Sequence, residues 1–314
     1  MSSASLHAGP FPCGFALRNG SPLAFCEAAA AIDPASAELD LAADALLHPD
    51  PLGKGPSALI LAAPHAGILT PEDEARCQAL LPAAMKRRLA AFSNLRRREQ
   101  SLRVRLLALV LASRILERKP ALELREEPPY GPVLFDAAAG RAAAWLTLAH
   151  CPGASAAALS LRPMGIDIEQ PRPVARLAAV AAYAYGDDAG QAFASWSQTV
   201  PSQEAEEAFF ALWGAKEGEV KINRGASESL RRAQVRIAPS AGLQHAPWRL
   251  EALDAEGGDV PLHFFHAAGS FVTTLGPESR LTPGAPAAFA LSAEGATPAA
   301  LLDALESRLC CRRR

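Results

Sequence analysis

Apolar positions recur along this chain with two periods. SALILAAP (57–64) is a short continuous apolar run closed by proline and predicts a buried strand. LTPEDEARCQALLPAAMKRRLAAF (69–92) predicts a helix, with Thr70 as its N-cap, Pro71 at the first helical position and acids in the first turn. SLRVRLLALVLASRILERK (101–119) repeats apolar residues at helical spacing, so Leu106, Leu107, Val110, Leu111 and Ile115 share a face, with basic residues gathered at both ends. AAAWLTLAH (142–150) and AAALSL (156–161) predict strands, and RPMG turns the chain into GIDIEQPRP (165–173).

A helical pattern follows through EAEEAFFALWGAKEGEVK (204–221), and then strand patterns at AQVRIA (233–238), WRLEAL (248–253), LHFFHA (262–267) and SFVTTL (270–275). Thr297 and Pro298 open a terminal helix with Leu301, Leu302, Leu305 and Leu309 inward. Helix plus sheet thus occurs twice, which predicts an α+β fold of two halves, 56–162 and 163–314. Residues 1–55 have little periodicity before ELDLAADALL and end in HPDPLGKGP, the pattern of a poorly specified N-terminal extension and a boundary.

Composition narrows the class. Over 314 residues the net charge is −2 and half the residues are hydrophobic, so no global basic field points to nucleic acid. No uninterrupted apolar span is long enough for a membrane helix, and MSSASLHAGPFPCG lacks a basic segment before an apolar core, so a cytoplasmic protein without a membrane partner is expected. The six cysteines show neither CxxC nor a histidine at zinc spacing, which predicts reduced thiols. Only five of the 31 basic residues are lysine, and two of these, Lys216 and Lys221, fall in one short segment. Lysine is kept there as a compact charge in a chain that otherwise favours arginine.

The chemistry concentrates in two stretches. In GIDIE, strand alternation sends Ile166 and Ile168 to one side and Asp167 and Glu169 together to the other, where a basic side chain or a metal ion must stand opposite them. In WGAKEGEVK, helical spacing puts Trp213, Glu217 and Lys221 along one stripe. Alone, the first reads as the solvated side of an edge strand and the second as an exposed Glu–Lys pair. Together, two carboxylates from a strand and a third from a helix make a set of hard oxygen donors of the kind Mg²⁺ prefers, with a lysine beside it to meet a phosphate.

GIDIE at 165–169, followed 44 residues after Glu169 by WGAKEGEVK at 213–221, resembles the paired signature of the 4′-phosphopantetheinyl transferases, in particular the surfactin-synthetase type made of two similar halves. The likeness spans most of 57–280 and includes the Arg105-x8-Arg114 helix and LTLAHC. It implies two α+β halves related by a pseudo-twofold, with coenzyme A in the cleft between them. It further implies Mg²⁺ on Asp167, Glu169 and Glu217, with Lys221 and His150 on the cofactor's phosphates and Arg105 near the 3′-phosphate. The implied reaction moves 4′-phosphopantetheine from coenzyme A to a serine of an apo acyl or peptidyl carrier protein and releases adenosine 3′,5′-bisphosphate. In it Glu217 takes the serine proton, Lys221 stabilises the leaving phosphate, and the enzyme works as a monomer.

The chain departs from that pattern in places. Gly131 directly precedes Pro132 where the family has Gly-Lys-Pro, Ala149 and Cys151 flank His150 in place of serines, and Gly218 follows the Lys-Glu pair. Two alternatives stand beside the transferase. A metal nuclease would want Glu-x-Lys on the acidic strand, whereas Glu169 is followed by Gln170 and Pro171. A degenerate relative would bind a carrier protein or nucleotide without turnover.

Overall fold

The structure, a computed structural model, describes residues 15–16, 26–49, 55–127, 131–185, 187–223, 234–239, 248–253, 260–267, 269–276 and 286–310. In chain order its elements begin with β1 (Phe15–Ala16), β2 (Cys26–Ala28), β3 (Ala30–Ile32), α1 (Ala37–Leu47), β4 (Ala58–Pro64), α2 (Pro71–Leu80), α3 (Ala83–Ala90) and α4 (Leu95–Arg118). Strands β5 (Leu122–Glu127), β6 (Gly131–Asp136), β7 (Arg141–His150), β8 (Ala154–Ser160) and β9 (Gly165–Glu169) follow. Three helices, α5 (Leu177–Tyr185), α6 (Asp187–Ser197) and α7 (Ser202–Asn223), precede β10 (Gln234–Pro239), β11 (Trp248–Leu253), β12 (Leu262–Ala267), β13 (Ser270–Leu275), β14 (Ala287–Leu291) and α8 (Pro298–Cys310).

These make a mixed α/β fold. A seven-stranded sheet runs β3-β14-β4-β8-β7-β6-β5, a four-stranded sheet runs β2-β12-β13-β9, and β1-β11-β10 form a third. Small residues let the two larger sheets lie face to face. In β4 and β8, Leu59, Leu61, Ala157 and Leu159 enter the core around α4. Their alternating neighbours Ala58, Ile60, Ala156 and Ala158 meet Ile166, Ile168, Phe265 and Val272 of the four-stranded sheet. The far face of that smaller sheet packs Leu262, Phe264 and Leu275 against α5, α6 and α7. Asp167 alternates with Ile166 and Ile168, so it faces α7.

Several expectations are refined. The helix expected over 69–92 is two helices: Thr70 caps α2 by accepting from the Asp73 N–H, and Pro82, lacking an N–H, ends it and heads α3. Helix α4 is buried on every side from Ser101 to Ile115 and not only along its apolar face. Its contacts run to β4, β5, β7 and β8 on one side and to α1, α3 and α8 on the other. Three arginines are buried with it, and Arg114, fully enclosed, donates to the carbonyls of Val110 and Pro34, each at 2.5 Å.

The extension expected over 1–55 does not describe 26–49. Strand β2 pairs with β12, β3 pairs with β14, and Leu39, Ala43 and Leu46 of α1 lie in the main core. Nor does the division at 163 hold for the end of the chain. Strand β14 lies between β3 and β4, and α8 packs Leu301, Leu302 and Leu305 into the same core. The Leu309 side chain lies outside the described residues. Among the described residues no helix is long and apolar enough to cross a membrane.

Candidate functional site

Helix α7 lies unusually close to β9, and glycines on both elements permit it. A Cβ on Gly165 would run into the backbone carbonyl of Gly218, and one on Gly214 would stand 2.6 Å from Thr273 Oγ1, the residue directly across from Asp167 in β13. At this approach Lys221 reaches the strand: its ammonium donates to Asp167 Oδ1 at 2.9 Å and to the Ile166 carbonyl at 2.6 Å. The cation expected opposite Asp167 is therefore Lys221. Burial is the main influence on the Asp167 carboxyl and raises its pKa against the pull of Lys221, while its Oδ2 is buried without a hydrogen-bond partner among the described residues.

Glu169 meets a different cation. Arg172, three residues on, holds its carboxylate at 2.9 Å and lies over the Phe210 ring. Burial again raises the carboxyl pKa, with Arg172 opposing and Asp167 reinforcing. Glu217 is half-buried and makes no hydrogen bond or ion pair among the described residues, whereas Glu219 is paired with Lys216 at 3.1 Å. Trp213 turns away from all of these and stacks on Phe209, 6.1 Å between ring centres, within the helical cluster. Eight residues of α-helix advance the side-chain direction by about 80°, enough for Trp213 to turn into the helical cluster while Lys221 turns to β9.

Lys221 also borders a cavity of about 260 Å³ whose walls come from both sides of the molecule. Arg88 of α3, Arg105 of α4, Glu126 of β5 and His150 at the end of β7 line it, with Trp145 and Met164 supplying apolar surface. Arg105, Lys221 and His150, each singled out in the sequence as a contact for one ligand, share this space. His150 is open to solvent by surface area yet sits in a concave, cationic surround. Desolvation by the walls, then the charges of Lys221, His65, Arg105 and Arg97, push its pKa down to about 4, so the ring is neutral at physiological pH. A neighbouring groove shares Phe92 and His150 with the cavity and adds Arg96, Arg97, Glu169 and Arg172.

Arg105 is not a free cation. It donates to the carbonyl of Ser101 at 3.1 Å and to the Ser101 hydroxyl, and lies 3.5 Å from Glu126 Oε1, which also takes Arg88 at 2.6 Å. Burial lowers the Arg105 pKa while Glu126 raises it. Neither Arg88 nor Glu126 stands out in the sequence, though Arg88 closes the basic run KRR (86–88). Arg172 was legible, three residues after Glu169 in the quoted stretch. His65, which holds Pro152 O at 3.2 Å and Ser155 Oγ at 2.8 Å and so fixes the turn after His150, carried no signal.

Among the described residues no group of three or more His, Cys, Asp or Glu is gathered closely enough to hold a metal ion. The donors nonetheless fit a hard divalent cation in kind. Asp167 keeps one buried oxygen unpartnered among the described residues, Glu169 stands two residues on in the same strand, and Glu217 lies on the helix beside it. Compared with models of known protein families and with curated proteins, the chain matches none.

Proposed function

We propose that this chain transfers 4′-phosphopantetheine from coenzyme A to a serine of an apo carrier protein. One observation carries the reading: Arg105, His150 and Lys221, far apart in sequence, line a single cavity, and Lys221 is at the same time bonded to the acidic strand. A phosphorylated cofactor in that cavity would extend from the arginines of α3 and α4, past His150, to Lys221 at the edge of the carboxylates. The two α+β halves related by a pseudo-twofold, with the cofactor in the cleft between them, belong to this reading.

Each side chain then has a task that its surroundings permit. His150, kept neutral by desolvation against the cavity walls and then by its cationic neighbours, orients a phosphate by hydrogen bonding and not by charge. Lys221 is the compact cation that meets negative charge developing on the leaving phosphate. Glu217, half-buried and without a partner among the described residues, is placed to take the proton of the carrier serine. Asp167, Glu169 and Glu217 would hold Mg²⁺, which when bound would neutralise pyrophosphate charge. For Glu169 that means leaving Arg172. The groove walled by Arg96, Arg97 and Arg172 would receive the carrier.

A second reading, binding of carrier or nucleotide without turnover, is favoured by Asp167 and Glu169 each being engaged by a cation of the chain itself. Incubating apo acyl and peptidyl carrier proteins with coenzyme A or its 3′-dephospho form and Mg²⁺ and measuring their mass separates the two. A gain of one phosphopantetheine group supports the transferase, and unmodified carriers throughout would reject it.

A further inference from the structure

Glu126 is an acid where a phosphate-binding cavity would want none. It lies near the end of β5, opposite Pro132 of β6, and its side chain is 3% exposed. Arg88 and Arg105 both approach Oε1, while Glu126 Oε2 and Arg105 Nε are buried and have no hydrogen-bond partner among the described residues. A buried carboxylate oxygen without a donor is costly, and a ligand hydroxyl at this wall would remove the deficit. A phosphate would do the reverse. It would set a second anion beside a buried carboxylate that has already taken up the charge of one guanidinium, and leave a net of one positive charge in the cluster to meet it. Gly131 and Pro132, on the strand next to Glu126, add no cation.

We propose that Glu126 reads the ligand of this cavity by accepting a hydrogen bond from a ribose hydroxyl, and that the site is matched to an adenosine with a free 3′-hydroxyl in place of a 3′-phosphate. Dephospho-coenzyme A is then the favoured donor. The inference rests on the cavity being the nucleotide site of the proposed transferase. The step balances as before: the serine oxygen forms a bond to the pantetheine-bearing phosphorus, the bond from that phosphorus to the bridging pyrophosphate oxygen breaks, and the serine proton passes to Glu217. The leaving group is adenosine 5′-monophosphate in place of the 3′,5′-bisphosphate.

Calorimetric titration of the full chain with adenosine 5′-monophosphate and with adenosine 3′,5′-bisphosphate tests this without a carrier. The monophosphate is expected to bind at least as tightly as the bisphosphate. Glu126→Gln, which keeps shape and removes the charge, is expected to shift the ratio at least tenfold toward the bisphosphate. An unaltered chain that binds the bisphosphate more tightly overturns the proposal, as does a ratio unmoved in Glu126→Gln. The first comparison needs no variant, so misfolding of the second does not rescue the idea. Binding of neither nucleotide overturns both this inference and the reading of the cavity. The expected preference together with no carrier modification by either form of coenzyme A supports the role of Glu126 and removes the transferase alone.

Discussion

The Lys221 ammonium stands 2.9 Å from Asp167 Oδ1, where a helix has been brought onto a strand closely enough for one cation to serve a buried acid and the adjoining Ile166 carbonyl. Asp167 is only 7% exposed, so removing its partner strands a charge. Lys221→Met is expected to cost about 2–3 kcal/mol, less than the roughly 3–5 kcal/mol of a fully buried broken pair because Lys221 is partly exposed. Asp167→Asn should cost less, since burial already disfavours the charged carboxyl. The double variant should recover part of the Lys221→Met loss. Urea denaturation of the four proteins gives the coupling, and additive losses would show that the pair contributes no stability.

On the proposed transferase reading, Glu217→Gln and Glu219→Gln separate base from bystander. Glu219 is already bound to Lys216, so its loss is expected to leave carrier modification within about threefold of the unaltered chain, the scale of a surface ion pair. Glu217→Gln keeps the volume and an oxygen but cannot accept the serine proton, so the rate should fall by roughly 10²–10⁴ with thermal stability unchanged. Equal effects of the two substitutions on the rate would remove Glu217 from catalysis.

A chain starting at Pro56 tests what the beginning of the sequence does. It would lack Leu39, Ala43 and Leu46 from the core, β3 from the edge of the large sheet, and both Pro34 and Asp40 around the enclosed Arg114. Each fully buried leucine contributes roughly 1.5–3 kcal/mol, and the Arg114 guanidinium, deprived of Pro34 and Asp40, adds to the loss, against a total stability of about 5–15 kcal/mol. The expected product is insoluble or unfolded by circular dichroism. A soluble, cooperatively melting truncation would show that α1 is dispensable.

What the sequence disclosed follows from how locally each feature is encoded. The alternation in GIDIE placed Ile166 and Ile168 on one face and Asp167 on the other because strand period depends on nothing distant. The periodicity of 101–115 located α4 but described only one apolar face, whereas the sheet and α1, α3 and α8, from remote parts of the chain, enclose the helix. The seat of Lys221 was hidden for the same reason. An i,i+4 acid, Glu217, is its obvious partner along the helix, and only the packing of α7 on β9 shows that Asp167 takes it instead. Glu126 had no local signature at all, because what distinguishes it is the pair of arginines brought from α3 and α4.

His150 should titrate far below an ordinary histidine. With its folded pKa lowered to about 4 from 6.5, the unfolded chain binds a proton at this position that the folded chain refuses between those values. The contribution of this site to stability is therefore fully present above pH 6.5, falls as the pH drops through the window, and is constant below about 4. Proton NMR of the ring should place its midpoint near 4, and Lys221→Met, removing the leading positive neighbour, should raise it. A midpoint near 6.5 in the unaltered chain would show that the cavity walls and cations do not act on the ring.

The glycines at the helix–strand contact predict opposite outcomes for one added methyl group. On Gly165 it would meet the Gly218 carbonyl, backbone that can yield only by moving α7 away from β9. Gly165→Ala is therefore expected to destabilise the fold by about 2–3 kcal/mol, as overpacking does, and to withdraw Lys221 from Asp167. On Gly218 the methyl would lie 3.3 Å from the Leu275 Cβ, a tight contact with a side chain that can give by tenths of an ångström. Alanine there also favours the helix by about 1 kcal/mol over glycine, so Gly218→Ala should be near neutral. It is thus Gly165, against the Gly218 carbonyl, whose missing Cβ the close approach depends on. Thermal melts and carrier modification by both variants check this together. Loss of activity in Gly218→Ala with Gly165→Ala unaffected would mean that the close approach of α7 to β9 is not what positions Lys221.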